Sequence, residues 1–265
     1  MGELQERFRR QMVLRGLAQC TIEKYEYVMG QLVKAHGRAP DKLSNEEIQK
    51  HIQFLLEKRR LTWGTVNNYF SAYRFFYVNV LGWNDAQFNL PRRGRTKTLP
   101  LVLDGQTALK VINTPIRIKH RALLYMVYGS GLRVSEVVRL KPSHIESAPE
   151  RMMVRVEQAK GRKDRYTILS KKALEVLREH WKICRPKKWL FFGWDKSKPM
   201  ARSSAQHAYK QACRKAGITH GKGIHTLRHC FASHLIEAGV PLWYSYRCER
   251  AVTLTVAGGW VRKTL

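Results

Sequence analysis

Four basic residues in the second half of the chain suit the chemistry of a phosphate ester. They are Arg133 in Gly129-Ser-Gly-Leu-Arg-Val-Ser-Glu136, Lys160 in the turn Ala159-Lys-Gly-Arg-Lys-Asp164, and His225 with Arg228 in His225-Thr-Leu-Arg228. A guanidinium group can hold two phosphate oxygens at once, and lysine and histidine can move protons at the attacking or departing oxygen. The set predicts a site that grips a reacting phosphodiester.

Taken singly, each segment has an ordinary alternative. Arg133 follows small residues at a predicted helix start, where backbone N–H groups favour phosphate, but a surface arginine is common at such a place. Lys160 also fits a solvated basic turn, and the i, i+3 spacing that puts His225 and Arg228 on one helical face occurs often by chance. His229 and His234 are interpreted as packing residues.

The net charge favours a polyanionic partner. The 265 residues include 49 Lys and Arg against 20 Asp and Glu, a net charge of +29, and the pI is near 10.3. Residues 1–88 carry 13 basic and 9 acidic side chains, or +4, whereas residues 89–265 carry 36 and 11, or +25. Such an excess indicates nucleic acid, although a ribosomal or membrane-surface protein would have a similar total.

Composition argues against several other classes of protein. The five cysteines are scattered and form no CxxC pair, so neither a disulfide framework nor a zinc site is predicted. No carboxylate cluster suggests magnesium, and we expect no metal and no cofactor. No apolar run resembles a signal peptide or a membrane span, so the expected location is cytoplasmic and nucleoid-associated.

The first part of the chain is predicted to be helical, because apolar side chains recur at helical spacing. Ser44 and Glu47 form a capping box before the stripe that begins at Ile48. The aromatic residues in the stripes are interpreted as core rather than as base-stacking groups. The stripes are Leu4, Phe8 and Met12; Ile22, Tyr25, Met29 and Leu32; Ile48, Ile52 and Leu55; and Val66, Tyr69, Tyr73, Phe76 and Val80.

The second part is predicted to combine helices with one hairpin, which makes the fold mainly α (α+β) with a small antiparallel sheet. Residues 89–100, rich in basic side chains and containing two prolines, read as an extended linker before it. The strands are predicted at Met152–Gln158 and Arg165–Ser170, and helices at Lys172–Cys184, Ser203–Gly217 and Thr226–Gly239.

The order GxGLRxSE, Lys-Gly hairpin, then HxLRH followed by Phe-Ala-Ser-His-Leu235 resembles the tyrosine recombinase (phage integrase) family. The resemblance extends from the first helices to about Leu242. It implies a core-binding, DNA-binding domain at 1–88, a basic linker at 89–100, an integrase-type catalytic domain at 101–242 and an aberrant tail at 243–265. It also implies double-stranded DNA and a homo-multimer as partners, with no membrane and no small-molecule substrate.

The resemblance assigns a role to each site residue. Arg133 and Arg228 would clamp the scissile phosphate, Lys160 would protonate the leaving 5′ oxygen, and His225 would assist proton transfer at the nucleophile. Glu136 would support Arg133 rather than react. Cleavage in the family proceeds through a 3′-phosphotyrosyl link, and two arginines neutralise charge that metal ions neutralise elsewhere.

The tail departs from the family pattern just after Pro241-Leu242. Family members continue into Leu-Gly-His and then the tyrosine nucleophile, whereas the usual spacing reaches Ala251 and Trp260 here. Tyr244 and Tyr246 come too early, and they are weak candidates for a nucleophile. The abrupt change suggests a shifted reading frame or a rearranged gene; the idea fails if translation of the DNA beyond Leu242 in the other two frames yields no Gly-His and later Tyr.

Three interpretations remain open from the sequence. The first is a site-specific recombinase or integrase by descent, impaired by loss of its nucleophile. The second is a DNA-binding protein that does not cleave, or an inactive recombinase subunit. The third, a basic structural protein, explains the charge but leaves the ordered motifs unexplained.

Overall fold

The computed structural model describes residues 2–84, 101–157, 164–219, 221 and 223–240. The chain divides into two compact units, Met1–Thr96 and Lys97–Leu265. The division falls within 89–100, but residues 85–100 lie outside the described part, so the linker and the predicted domain limits stay predictions. No helix among the described residues is both long and apolar enough to cross a membrane.

Helices form the first unit over its described residues. They are α1 Gly2–Leu14, α2 Gln19–His36, α3 Asn45–Glu57 and α4 Trp63–Asn79, with a 3-10 turn at Pro40–Lys42. Gly37 ends α2 at a positive φ of 64°, a conformation that glycine adopts without the steric cost of a Cβ atom.

The predicted capping box is confirmed at the start of α3. The Ser44 Oγ accepts a hydrogen bond from the Glu47 N–H at 3.3 Å, and the Ser44 N–H donates to the Glu47 Oε2 at 2.9 Å. The two residues thereby satisfy N–H groups that a helix start leaves without intrahelical partners.

The predicted apolar stripes form the core of this unit. Most of their members are buried, whereas Leu4, Tyr25 and Tyr69 are only partly buried against the core. The Phe8 and Phe76 rings meet edge to face at 5.4 Å, and the Tyr77 hydroxyl donates to the Pro40 carbonyl at 2.7 Å. The aromatic side chains of α4 therefore hold the helices together, as the spacing indicated.

The second unit is built around one central helix. Every residue from 122 to 130 in this helix, α6, is buried, and it packs against helices on several sides. A helix that is buried all round needs no polar face, which explains its lack of amphipathic pattern. Over its described residues, the α-helices of this unit are α5 Gly105–Asn113, α6 Ile118–Ser130, α7 Val134–Val137, α8 Lys171–Cys184, α9 Arg202–Lys215 and α10 His225–Glu237, with a 3-10 turn at Pro142–His144.

Besides the helices, this unit contains a small antiparallel sheet, in which the strands lie in the order β1-β2-β3. The strands are β1 Ile145–Ala148, β2 Arg151–Val156 and β3 Arg165–Ile168. The predicted hairpin is confirmed, with Val156 opposite Arg165, but both strands end two residues earlier than predicted. Strand β1 was not predicted, because four residues with a single branched apolar side chain give too short a pattern.

Candidate functional site

Two glycines allow the segment before Arg133 to pack closely. A Cβ atom on Gly129 would lie 2.6 Å from the Ser170 Oγ, and one on Gly131 would lie 2.3 Å from the Phe231 ring. Gly131 also has a positive φ of 59°, at the C-cap of α6. The small residues of the motif therefore bring α8 and α10 against the end of α6.

Arg133 is fixed by the carboxylate of Glu136. Its guanidinium Nη1 donates to the Glu136 Oε1 at 3.0 Å, and its backbone N–H donates to the Glu136 Oε2 at 2.8 Å. The Glu136 side chain is 6% exposed, whereas that of Arg133 is 31% exposed. Arg133 thus keeps a partly exposed side chain on a buried anchor.

The backbone at this point differs from the expected phosphate cradle. Helix α7 has only four residues, and the N–H of its N-cap Arg133 is occupied by the Glu136 carboxylate. The Arg133 N–H is therefore not available to an anion. The physical reason is the capping arrangement, in which the third residue of a helix reaches back to the N-cap N–H.

A second arginine, Arg165, reaches Glu136 from β3. Its Nη2 lies 2.8 Å from the Glu136 Oε2, and its side chain is 3% exposed. Burial alone would raise the pKa of Glu136, but the charge of Arg165 and the hydrogen bonds from Arg133 outweigh it and lower the pKa. Glu136 is held ionised between two cations.

Helix α10 brings the second pair of site residues to the same region. His225 is its first residue and is exposed, and Arg228 is half-buried. The Arg228 guanidinium donates to the carbonyl oxygen of Gly131, two residues before Arg133. This hydrogen bond ties the two predicted clamp segments together across 97 positions of sequence.

The surroundings of His225 are positive. Desolvation is the largest cause that lowers the pKa of His225. The charges of Arg228, His229 and Arg133 lower the pKa further, while the charge of Glu136 raises it. The lowered pKa favours the neutral imidazole near neutral pH, the form that can accept a proton. The structure thus brings together three of the four predicted site residues: Arg133, His225 and Arg228.

His234 has a structural role, as the packing interpretation predicts. Its Nε2 lies 2.9 Å from the Leu103 carbonyl oxygen and its Nδ1 lies 2.9 Å from the Tyr128 hydroxyl. A carbonyl oxygen can only accept, so the Nε2 carries the proton and donates. His234 therefore fastens α10 to α6 and to the segment before α5. The packing interpretation is wrong for His229, which is exposed because it lies on the face of α10 turned to solvent.

Three sequence candidates lie outside the described residues: Lys160 of the hairpin turn, Tyr244 and Tyr246. The described base of that hairpin is held by Glu157, which accepts from the Lys141 Nζ at 3.0 Å and from the Arg155 Nη2 at 2.6 Å. These hydrogen bonds, above all the one from Lys141, lower the pKa of Glu157 to about 2. The strand end that leads towards Lys160 is thereby anchored.

Arg165 is the residue that sequence reasoning missed. It stands at the start of a predicted strand, directly after a run of basic and acidic turn residues, and the sequence assigned it no role. The strand pattern did not indicate its burial, because the apolar side chains Tyr166 and Ile168 fall on the opposite face from Arg165 and Thr167. Among the described residues, no cluster of three or more His, Cys, Asp or Glu side chains could hold a metal ion.

Two family models match most of the chain. Residues 104–244 match the model of the phage integrase family, and residues 4–85 match that of the phage integrase N-terminal SAM-like domain. The two matches leave 86–103 between them and stop short of most of the tail.

Similar proteins are recombinases by name. The chain is 36% identical over 241 residues to y4qK of Sinorhizobium fredii, whose name assigns it to the integrases and recombinases; the match covers 90% of this chain and 77% of the relative. It is 33% identical over 133 residues to the tyrosine recombinase XerD of Corynebacterium glutamicum, and that match covers 48% of this chain and 43% of the relative. A lambda integrase (75–356) dimer bound to a COC′ core site has the same fold, with a TM-score of 0.74 at 15% identity over 97% of this chain and 99% of that one.

Proposed function

Since the chain belongs to the phage integrase family and is a site-specific tyrosine recombinase by descent, we propose that it binds double-stranded DNA and grips a phosphodiester without tyrosine-mediated cleavage. Arg133 and Arg228 contact the phosphate oxygens, and His225 lies beside them, where it would accept or return a proton if a nucleophile were present. Lys160 would protonate the leaving 5′ oxygen only in that case. The protein acts as a homo-multimer on DNA, in the cytoplasm and associated with the nucleoid.

One observation carries the phosphate grip: the Arg228 guanidinium is bonded to the Gly131 carbonyl, next to the loop that presents Arg133. Desolvation, together with the charges of Arg228 and Arg133, lowers the pKa of His225 at the start of α10, so both arginines act on the same histidine. Phosphoryl transfer requires positioning and charge neutralisation more than it requires a cofactor, so this set suffices to hold the reacting group.

The tail supports the absence of cleavage. The family match ends at residue 244, close to the point at which the family-like sequence stops. Ala251 and Trp260 stand where the histidine and the tyrosine are expected, and neither side chain has an ionisable oxygen or nitrogen for the step. A protein of this kind occupies recombination sites or joins a recombinase assembly as an inactive subunit.

A nicked suicide substrate tests both parts of the proposal. A duplex selected from a random library by repeated binding to the full-length protein is nicked on one strand, and covalent adducts are sought after denaturation. We expect retention of the DNA before denaturation and no adduct after it. An adduct that disappears in Tyr244→Phe or Tyr246→Phe would overturn the claim that cleavage is lost.

Arginine variants test the phosphate grip separately. We expect Arg133→Gln and Arg228→Gln each to weaken binding to the selected duplex, because each removes a charge-assisted contact to phosphate. Arg121→Gln is the matched control, since it also removes an arginine paired with a glutamate, Glu179, at 3.0 Å. Equal losses in all three variants would contradict a specific role for Arg133 and Arg228.

A further inference from the structure

Arg165 is a charged side chain with almost no access to solvent. It begins β3, opposite Val156, and its side chain is 3% exposed. Arginine is rarely buried unless it is paired, because desolvation of a charge is costly. At this exposure it cannot itself contact DNA, so its charge must act on neighbouring groups.

The contact network leads from Arg165 to Arg133 in two steps. The Arg165 Nη2 lies 2.8 Å from the Glu136 Oε2, and the same oxygen accepts the Arg133 N–H at 2.8 Å. The other oxygen, Oε1, accepts the Arg133 Nη1 at 3.0 Å. The Glu136 carboxylate is therefore held by cations on both sides, which fixes its plane and the direction in which it aims the Arg133 guanidinium.

A second contact joins the same two segments. The Thr167 Oγ1 donates to the Ser130 carbonyl oxygen at 2.8 Å, at the end of α6. Strand β3 thus stays docked beside the Arg133 loop through a bond that does not involve Arg165. Loss of the Arg165 charge should disturb the carboxylate before it displaces the strand.

We propose that Arg165 is a positioning residue for Arg133, acting through Glu136 when Arg133 contacts a DNA phosphate. The inference rests on the proposed function, in which Arg133 makes that contact. Without Arg165, the Glu136 carboxylate is held from one side only and no longer fixes the direction in which the Arg133 guanidinium points towards the phosphate. The arginine that reaches the DNA and the arginine that aims it then lie on different elements.

The salt dependence of DNA binding tests this role, because its slope counts phosphate contacts. Affinity of the full-length protein for the selected duplex is measured across a salt series. Arg133→Gln should reduce the slope of log K against log salt concentration by about 0.9, the value for one phosphate. Arg165→Gln should reduce the slope by about as much, although Arg165 is buried. The Arg133→Gln/Arg165→Gln double variant should reduce it by no more than Arg133→Gln alone.

Arg121→Gln is again the control, since it lies nine residues before the end of α6, about 14 Å along the helix axis. It should leave the slope unchanged. A merely structural Arg165 would lower thermal stability but leave the slope of the folded protein as it is, and that result overturns the inference. If Arg133→Gln itself leaves the slope unchanged, the phosphate role of Arg133 fails, and the positioning role fails with it.

If Arg165→Gln does not fold, a second variant that removes both charges of the buried Arg165–Glu136 pair takes its place. The Arg165→Met/Glu136→Gln double variant leaves no unpaired charge inside the protein, an exchange that folded proteins often tolerate. It should show the same reduced slope as Arg133→Gln. A wild-type slope in this variant would overturn the inference.

Discussion

At the scale of single residues, the role of a side chain in this protein depends more on steric space and burial than on residue type. Gly131 combines a positive φ of 59° with a ring atom of Phe231 where its Cβ atom would be. Glu136 remains ionised although it is buried, because two arginines surround it. Each of these two residues holds a neighbouring side chain in place. A substitution at either position therefore affects the site through that neighbour.

Gly131→Ala should destabilise the protein by at least about 2 kcal/mol. A left-handed conformation costs an L-residue roughly 1–2 kcal/mol, and an overpacked atom costs about as much again. Urea unfolding measures the loss. Gly105→Ala is the control, because nothing lies within 4 Å of its added Cβ atom. Equal losses in the two variants would contradict the argument from close packing.

His51 should make the first unit less stable in mild acid. It is 7% exposed, and burial, followed by the nearby charge of His36, lowers its pKa from 6.5 to about 4. As the pH falls below 6.5, the unfolded chain binds the proton and the folded chain does not, so stability falls until the pH reaches about 4. The full difference is about 3 kcal/mol.

Urea unfolding at pH 7.0, 5.5 and 4.0 compares the wild-type protein with His51→Leu. The free energy of unfolding should fall more steeply towards acid in the wild type, because leucine binds no proton. Parallel curves for the two proteins would show that His51 does not titrate differently in the folded state.

At the scale of elements, helix ends and helix contacts set the positions of the site residues. Helix α10 carries His225 and Arg228 at its start, and further along it is fastened by His234 to Tyr128 of α6 and to the Leu103 carbonyl. These contacts two to three turns away and the Arg228 bond to the Gly131 carbonyl together place the site end of α10. In the first unit, side-chain caps define where α3 and α4 begin.

Ser44→Ala should destabilise the protein by about 1 kcal/mol, the usual cost of losing an N-cap side chain. It leaves the Glu47 N–H without its Oγ acceptor at the start of α3. Ser71→Ala is the matched control, since that hydroxyl donates to the Asn67 carbonyl inside α4, where alanine is the better helix former. A similar loss from both variants, measured by thermal unfolding, would remove the capping explanation.

At the scale of the whole molecule, charge is unevenly distributed along the chain. Residues 89–265 carry +25 of the +29, and the candidate site belongs to this part. Contacts between basic side chains and phosphate release counterions, so affinity for DNA depends on salt far more than affinity for an uncharged ligand does. The excess charge also speeds association with DNA at low ionic strength.

DNA affinity should fall about 10³- to 10⁵-fold between 50 and 200 mM salt if the protein contacts six to ten phosphates. Fluorescence anisotropy with a labelled duplex measures the dissociation constant at each salt concentration. A duplex with uncharged methylphosphonate linkages is the control and should bind far more weakly. An affinity that is independent of salt would contradict phosphate-based binding altogether.

The sequence by itself determined the helices of the first unit and the helices α8 to α10, but not α5 or α6. It also determined the capping box, the hairpin and the candidate residues Arg133, Lys160, His225 and Arg228. These features depend on local spacing, turn chemistry and ordered motifs, which a linear pattern contains. The mismatch of the tail with the family is also a property of the sequence alone.

Only the tertiary structure revealed the burial of Arg165 and its pairing with Glu136, 29 positions away. It also showed that the Arg133 N–H is used inside the protein and that the glycines serve helix packing. The physical reason is that burial and pairing depend on which segments meet in space. A basic residue beside a turn has the same local sequence whether it faces water or a buried carboxylate.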